Sequence, residues 1–335
     1  MIEVVGLSKI YRVRARQSSS VWQSLRALFS REFRTVSALE GVDWRVPVGQ
    51  IHGLIGRNGS GKSTLLKILC GILHPSAGTA RVNGVVPWAD RQRYVRDIGV
   101  VFGQKSQLTW ELPAVDSFYL HRDLYGIEPA PFERTLEFLC DAFDAIVDRP
   151  VRSLSLGERM KCEIICALLH EPKLLFLDEP TIGLDLVAKE QVRRAVRAIN
   201  ARLGTTIILT SHDLSDVTSV CDEISLLDRG KFLYQGQIGD LLSVVSSRKL
   251  VRLTLREPVS SCPWKALSLI PTGEFTAEVQ LSADAVTFQP TLQRLLSQLP
   301  IGDLSIESLQ LEQVIGAIYR GELDTSNWRK AKPAA

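Results

Sequence analysis

Short apolar runs alternate with longer amphipathic stretches along most of the chain. Ile51–Ile55 and Leu174–Leu177 are largely apolar runs of strand length, which is typical of strands buried in a parallel sheet. Between Pro113 and His170 the apolar residues follow helical spacing instead, and prolines divide that stretch into three or four helices. Because strands and helices alternate around this helical block, we predict an α/β fold with a mostly parallel core sheet and an inserted helical subdomain.

The pattern changes near residue 240. Ile224–Leu227 and Phe232–Tyr234 predict a hairpin just before this point. We therefore predict a first domain over residues 1–240, a small α+β accessory domain over 241–323 and a flexible tail over 324–335. In the accessory domain we predict two strands and two helices, at Val251–Leu255, Thr276–Leu281, Pro290–Leu299 and Leu311–Tyr319.

Composition supports a packed globular chain. Of the 335 residues, 45% are apolar and 23% are charged, which favours a folded core over global disorder. No apolar run approaches the roughly 20 residues that span a bilayer, and Met1–Val4 lacks the basic start of a signal peptide. A role at a membrane would therefore need a separate membrane partner. The six cysteines lack paired metal-ligand spacing, so we expect them to be reduced and buried, as in a cytoplasmic protein.

The net charge of +3 is concentrated in one segment. Residues 12–35 form an insertion with six arginines and one glutamate, which is +5 and leaves −2 for the rest of the chain. This distribution argues against a nucleic-acid-binding face across the molecule. Val21, Leu25 and Leu28 fall at helical spacing within the insertion. Two interpretations stay open: the insertion faces anionic lipid or a membrane protein, or its apolar stripe packs on the domain and the arginines are solvated.

The strongest chemical signal is the run from Gly56 to Thr64. It fits the phosphate-loop pattern G-x-x-x-x-G-K-[ST], with a predicted strand before it and a predicted helix after it. Glycines let the backbone turn its N–H groups toward phosphate oxygens, and the helix N-terminus adds its positive dipole end. Lys62 is expected to reach the β- and γ-phosphates and Ser63 to ligate Mg²⁺. The predicted nucleotide-binding residues of the loop are Gly56, Arg57, Asn58, Gly59, Ser60, Gly61, Lys62, Ser63 and Thr64.

Two acids follow the buried strand Leu174–Leu177. Ligands of open α/β sheets bind at the carboxyl ends of the strands, where Asp178 and Glu179 are predicted to lie. Asp178 is therefore placed to hold Mg²⁺, and Glu179 is placed to polarise an attacking water as general base. Alone, two acids after an apolar run are more often a strand end or a helix cap, but the phosphate loop reverses that preference.

A third motif lies just upstream of this strand, in the run Leu154-Ser155-Leu156-Gly157-Glu158. Here the sequence resembles the ATP-binding subunits of ABC transporters, whose signature is usually Leu-Ser-Gly-Gly-Gln. The resemblance implies a P-loop NTPase fold with an antiparallel β-subdomain. It also implies that Ser155, Gly157 and Glu158 contact the γ-phosphate held by a second subunit, in a head-to-tail dimer with two shared ATP sites. Leu156 and Glu158 depart from the usual signature, and Leu156 could slow hydrolysis by altering the backbone approach.

The resemblance covers about residues 1–240, with a helical subdomain at about 105–170, and it assigns further residues. It implies that Gln104 contacts Mg²⁺ and the attacking water and couples the site to the membrane domain. It places Asp185 at the dimer interface, His212 at the γ-phosphate and Tyr11 against adenine. The insertion lengthens the usual spacing after Tyr11, so Trp44 is an alternative for the adenine contact, although packing within the β-subdomain is favoured for Trp44. The expected catalytic residues are Lys62, Gln104, Glu179 and His212, and the expected Mg²⁺ ligands are Ser63, Gln104 and Asp178.

These motifs together predict a MgATP-hydrolysing subunit that energises a separate membrane permease. Residues 103–107, residues 180–185 and the appendage resemble a branch of bacterial ATPases paired with type-two exporter permeases. We expect a dimer, with a homodimer favoured because no motif is degenerate, and peripheral association with the cytoplasmic face of the inner (plasma) membrane. No nucleic-acid partner is expected.

Two other functions are compatible with a phosphate loop. A non-transport ABC ATPase acting on a soluble complex usually carries two ATPase cores in one chain or long coiled-coil insertions. This sequence has one core and no heptad run. Another phosphate-loop enzyme, such as a kinase or a small GTPase, is disfavoured by the signature and by His212.

Overall fold

A computed structural model describes residues 1–14, 33–103, 105–262, 267 and 269–321. It divides the chain into two compact units, Met1–Gln235 and Gly236–Ala335, and each is described below by itself.

A six-stranded sheet forms the centre of the first unit. Its strand order is β5-β6-β7-β3-β8-β9, and the four pairs from β5 to β8 are parallel. Strand β3 lies between β7 and β8 and is buried at every position, as its apolar run predicts. Arg229 and Gly230 turn the predicted hairpin with positive φ at both positions, which matches the strand twist. The strands are β3 (Ile51–Gly56), β5 (Ile98–Phe102), β6 (Leu174–Asp178), β7 (Thr206–Ser211), β8 (Glu223–Asp228) and β9 (Lys231–Gln237).

An antiparallel sheet of three strands forms the β-subdomain. Strand β1 (Ile2–Arg14) lies between β2 (Phe33–Val46) and β4 (Ala77–Val82). Both ends of the basic insertion are strand, because Arg12 pairs with Thr35 across β1 and β2. The amphipathic part of the insertion lies outside the described residues, so its two interpretations stay open.

Helices cover the core sheet and form the helical subdomain. The helix after the phosphate loop begins at Lys62 and buries Leu65, Leu66 and Ile68. The apolar pattern predicts a helix over Gly61–Leu73, but the helix ends at Leu69. None of the helices within the described ranges has the length and apolar character needed to cross a bilayer. The helices of this unit are α1 (Lys62–Leu69), α2 (Arg91–Tyr94), α3 (Ala114–Tyr125), α4 (Pro129–Phe143), α5 (Leu156–Leu168), α6 (Leu186–Leu203) and α7 (Leu214–Val220).

The second unit is a small α+β assembly. Its antiparallel sheet has the order β11-β12-β10-β13, and Val251, Leu253 and Val279 lie in its buried core. Pro290 lies inside a helix that begins five residues earlier than predicted, where Asp284 accepts the Val286 N–H at 3.4 Å. The elements are α8 (Ile238–Ser246), β10 (Arg248–Leu255), β11 (Ile270–Pro271), β12 (Thr276–Ser282), α9 (Ala285–Gln298), β13 (Ile301–Ser308) and α10 (Leu311–Arg320).

Candidate ATP site

The phosphate loop turns between the carboxyl end of β3 and the N-terminus of α1. Gly61 lies at φ 113°, and a Cβ there would meet the carbonyl oxygen of Ala38 at 2.5 Å, so both conformation and space require glycine. The hydroxyl of Ser60 is buried and lacks a hydrogen-bond partner among the described residues. Buried polar groups normally have a partner, so this loop fits a polar ligand such as phosphate.

The ammonium group of Lys62 lies within the loop. Its Nζ donates to the carbonyl oxygen of Gly56 at 2.6 Å and to that of Arg57 at 3.3 Å. It also lies 4.0 Å from Oε1 of Glu179. Burial lowers the pKa of Lys62, and the carboxylates of Glu179 and Asp178 oppose that shift. Additional negative charge near Lys62 would therefore stabilise the charged form of its side chain.

The two acids lie where β6 ends, and strand β7 holds both. Thr210 donates its hydroxyl hydrogen to Oδ1 of Asp178 at 2.7 Å. Glu179 has φ 54°, in the left-handed region that non-glycine residues rarely adopt, and its side chain is 23% exposed. Oε1 of Glu179 lies 3.4 Å from Nδ1 of His212, whose side chain is half-exposed just beyond β7. A lysine and a histidine thus converge on the carboxylate of Glu179, the general-base candidate.

A cleft of about 570 Å³ connects the phosphate loop with the acids. It is lined by Lys62, Ser63, Asp178 and Glu179. The Ser63 hydroxyl and the two carboxylates provide oxygen atoms, which are the ligands that Mg²⁺ prefers. The described part of the chain contains no cluster of three or more His, Cys, Asp or Glu side chains suited to a metal. Mg²⁺ is commonly held by one or two protein groups together with water and substrate phosphates.

The signature residues lie outside this cleft. Ser155 caps α5 by accepting the Glu158 N–H at 3.2 Å, and the Glu158 carboxylate accepts the Ser155 N–H at 2.7 Å. This capping box holds the pKa of Glu158 below its usual value, the bond from the Ser155 backbone being the largest cause. A Cβ on Gly183 would meet Leu156 at 3.0 Å, so the unusual Leu156 packs against the loop before α6.

The remaining predicted site residues have different outcomes. Asp185 caps α6 by accepting the Ala188 N–H at 2.8 Å. Tyr11 pairs with Val36 across β1 and β2 and is not in the lining of the cleft, so its stacking on adenine stays a prediction. Gln104 lies outside the described residues, although its neighbours Gly103 and Lys105 line the cleft. Arg57 and Asn58 are exposed in the loop, and Gly56 is buried at its start.

Sequence reasoning missed Thr210. It lies two residues before His212, in a strand that the apolar pattern predicts over Thr206–Leu209 and that the structure extends to Ser211. The feature that could have identified it is the parallel register of β6 and β7, which pairs Thr210 with Asp178.

Comparison with known proteins gives a consistent result. The sequence model of the family described as ABC transporter matches residues 39–182. The daunorubicin/doxorubicin resistance ATP-binding protein DrrA of Streptomyces peucetius is 32% identical over 285 residues, which are 82% of this chain and 84% of DrrA. The ABC transporter ATP-binding protein NatA of Bacillus subtilis (strain 168) is 29% identical over 234 residues, which are 67% of this chain and 95% of NatA. A solved structure of an ATP binding subunit of an ABC transporter matches with a TM-score of 0.59 at 27% identity, covering 72% of this chain and 92% of that one.

Proposed function

Because this chain belongs to the family of ABC transporter ATP-binding subunits, we propose that the cleft around Lys62 is half of an ATP-hydrolysing site that a second subunit completes. The family assignment confirms the predicted fold class and the predicted ABC-type ATPase activity. The observation that carries the proposal is the division of the predicted site residues. The phosphate loop and the acids line one cleft, whereas Ser155 caps a helix outside it.

The described side chains suit the proposed chemistry. Backbone N–H groups of the loop and the positive end of α1 would bind the phosphates, and Lys62 would neutralise their charge. Ser63 and Asp178, with Gln104, would hold Mg²⁺, which supplies further charge neutralisation at the β- and γ-phosphates. Glu179 would accept the proton of the attacking water. His212 is 3.4 Å from Glu179 and would orient that carboxylate while contacting the γ-phosphate.

The second subunit would supply a helix N-terminus. The capping box of α5 fixes the Ser155 hydroxyl as an acceptor from Glu158, so its hydrogen is free to point toward an anion. Gly157 packs its backbone against Ala188 of α6, which keeps the first turns of α5 and α6 together as one surface. We propose that this surface, with Asp185, closes over the γ-phosphate of the partner subunit in a head-to-tail homodimer.

A membrane permease is the proposed partner on another surface. Tyr119, Leu120 and Leu124 of α3 are exposed, and Trp110 and Leu112 before α3 are exposed as well. Large exposed apolar side chains in one region mark surfaces for protein contacts. We propose that the chain works there with a type-two exporter permease, bound peripherally at the cytoplasmic face of the membrane. The resistance function in the name of DrrA favours export. The transporter subunits among the relatives of this chain favour transport over action on a soluble complex.

Replacing Glu179 by glutamine tests the proposed site. Loss of the general base should lower phosphate release by roughly 10²–10⁴-fold, because proton transfer of this kind contributes that much to catalysis. ATP binding should persist, so the E179Q chain should accumulate as an ATP-bound dimer in size-exclusion chromatography.

The matched control is Glu137→Gln, the same chemical change at an exposed position of α4 outside the cleft. It should hydrolyse ATP like the unmodified chain. Rapid turnover by E179Q would show that Glu179 is not the base and would remove the central element of the proposal.

A further inference from the structure

One buried hydroxyl connects the two acids of the candidate site. The Thr210 side chain is fully buried at the end of β7. Its Oγ1 accepts the Glu179 N–H at 2.9 Å and donates to Oδ1 of Asp178 at 2.7 Å. A hydroxyl has a single hydrogen, so the direction of both bonds is determined: the amide donates to Thr210, and Thr210 donates to the carboxylate.

The backbone at Glu179 needs support. Its φ of 54° lies in the left-handed region, which costs a non-glycine residue free energy and persists only where the surroundings impose it. Strand β6 ends at Asp178. Among the described residues the Glu179 N–H donates to Thr210, through its hydroxyl at 2.9 Å and its carbonyl oxygen at 3.2 Å.

Strand β7 therefore holds both ends of Glu179. Thr210 fixes the backbone, and His212, two residues further on, lies 3.4 Å from the carboxylate. The same Thr210 hydroxyl fixes one oxygen of Asp178 and leaves Oδ2 for other ligands. A single side chain thus contacts the carboxylate of Asp178 and the backbone of Glu179.

We infer that Thr210 is a positioning residue for ATP hydrolysis, which orients Asp178 toward the metal and Glu179 toward the attacking water. The inference rests on the roles proposed above for those two acids. A buried hydroxyl that is hydrogen-bonded for stability alone would affect only the free energy of unfolding. A positioning role requires in addition that loss of the Thr210 hydroxyl change the kinetics of ATP hydrolysis.

Thr210→Val tests this difference, because valine keeps the branched shape and removes the hydroxyl. T210V should lower kcat at least tenfold and raise the Mg²⁺ concentration for half-maximal activity severalfold, while the Kd for ATP changes less than about threefold. Thr210→Ser restores the hydroxyl and should return kcat to within about threefold of the unmodified chain.

The chain offers a matched control on the same strand. Thr206 is also fully buried, and its Oγ1 accepts the Gly49 N–H at 2.8 Å, away from the acids. Thr206→Val should lower the Tm without changing kcat or the Mg²⁺ dependence. If T210V behaves like T206V, with a lower Tm and unchanged kinetics, the hydroxyl is structural only and the inference is wrong.

Two further variants distinguish failure of the proposed site from failure of the role of Thr210. E179Q and Lys62→Ala must abolish hydrolysis in the same assay. If they do not, the proposed site fails, whereas normal kinetics in T210V alone overturn only the role of Thr210. If T210V does not fold by circular dichroism, Thr210→Ala replaces it, with the same expected loss of kcat and the same rescue by serine.

Discussion

His52 shows how strongly this fold constrains a single residue. It lies on β3, buried against Trp44 at a ring-centroid distance of 5.4 Å, and shares the Ser225 hydroxyl with the Trp44 indole. Its Nδ1 has no hydrogen-bond partner among the described residues, and the partly solvated Glu223 lies 3.9 Å away. Burial lowers the pKa of His52 to about 3. Sequence reasoning gave this histidine no role, because its burial follows from the position of β3 in the sheet.

His52 should make the first unit sensitive to acid. The unfolded chain binds a proton at His52 near pH 6.5, whereas the folded chain resists it until about pH 3, so stability falls as pH drops below about 6.5. At pH 5 the loss is about 2 kcal/mol for this one group. Urea unfolding at pH 7.5 and pH 5.0 measures it.

The control for this titration is the exposed His74. Burial also lowers the pKa of His121 to about 4, so His121 contributes to the same pH dependence. His52→Gln should remove about 2 kcal/mol of the difference between pH 7.5 and pH 5.0, and His74→Gln should keep all of it. An unchanged pH dependence in H52Q would mean that other groups govern the acid sensitivity.

At the scale of elements, the sequence predicted the strands and turns that a local pattern is enough to specify. The apolar runs of β3 and β6 and the Asp-Arg-Gly-Lys hairpin turn are local signals, and the structure confirms them. Strands β4 and β13 and helix α8 were not predicted, since edge strands and short helices depend on the neighbours against which they pack. Thr210 was missed for a related reason, because only the register between β6 and β7 brings it to Asp178.

A buried carboxylate joins two elements that sequence treats as separate. Glu163 of α5 accepts the Ser106 hydroxyl and, at 2.9 Å, the Gln107 N–H. Burial raises the pKa of Glu163, and those two bonds oppose the shift. The helix that begins at the signature is thereby tied to the segment just after Gln104.

Removing this carboxylate should loosen the tie. Glu163→Ala leaves two donors without their partner, and each such buried group costs about 1–3 kcal/mol. We expect a lower free energy of unfolding and faster hydrogen exchange of residues 105–109. Glu137→Ala, at an exposed position of α4, should change neither. Unchanged exchange in E163A would show that other contacts hold the segment.

At the scale of the molecule, the proposed site belongs to the dimer and to neither chain alone. This arrangement can be tested by complementation. Lys62→Met removes the phosphate contact of one chain, and Ser155→Asp places a negative charge where the γ-phosphate would lie while keeping a residue that caps α5. Each variant alone should be inactive. In an equal mixture, head-to-tail pairing restores one of two sites in half of the dimers, about a quarter of the original activity.

The control for this mixture is the double variant K62M/S155D mixed with the unmodified chain. That mixture contains no heterodimer with an intact site, so its activity should come from unmodified homodimers only. If K62M and S155D chains remain inactive when mixed, each site lies within one chain and the proposed dimer is wrong.

The position of β3 has a consequence for synthesis on the ribosome. Both of its neighbours, β7 and β8, follow it at long range in the chain. At 5–20 residues per second, the roughly 150 residues between β3 and β7 take on the order of 8–30 s to translate. Until then the apolar β3 has no partner on either edge, which exposes a nascent chain to misassembly. The phosphate loop is thus made early and completed late, and ATP can act as a ligand only for chains whose first unit has finished folding.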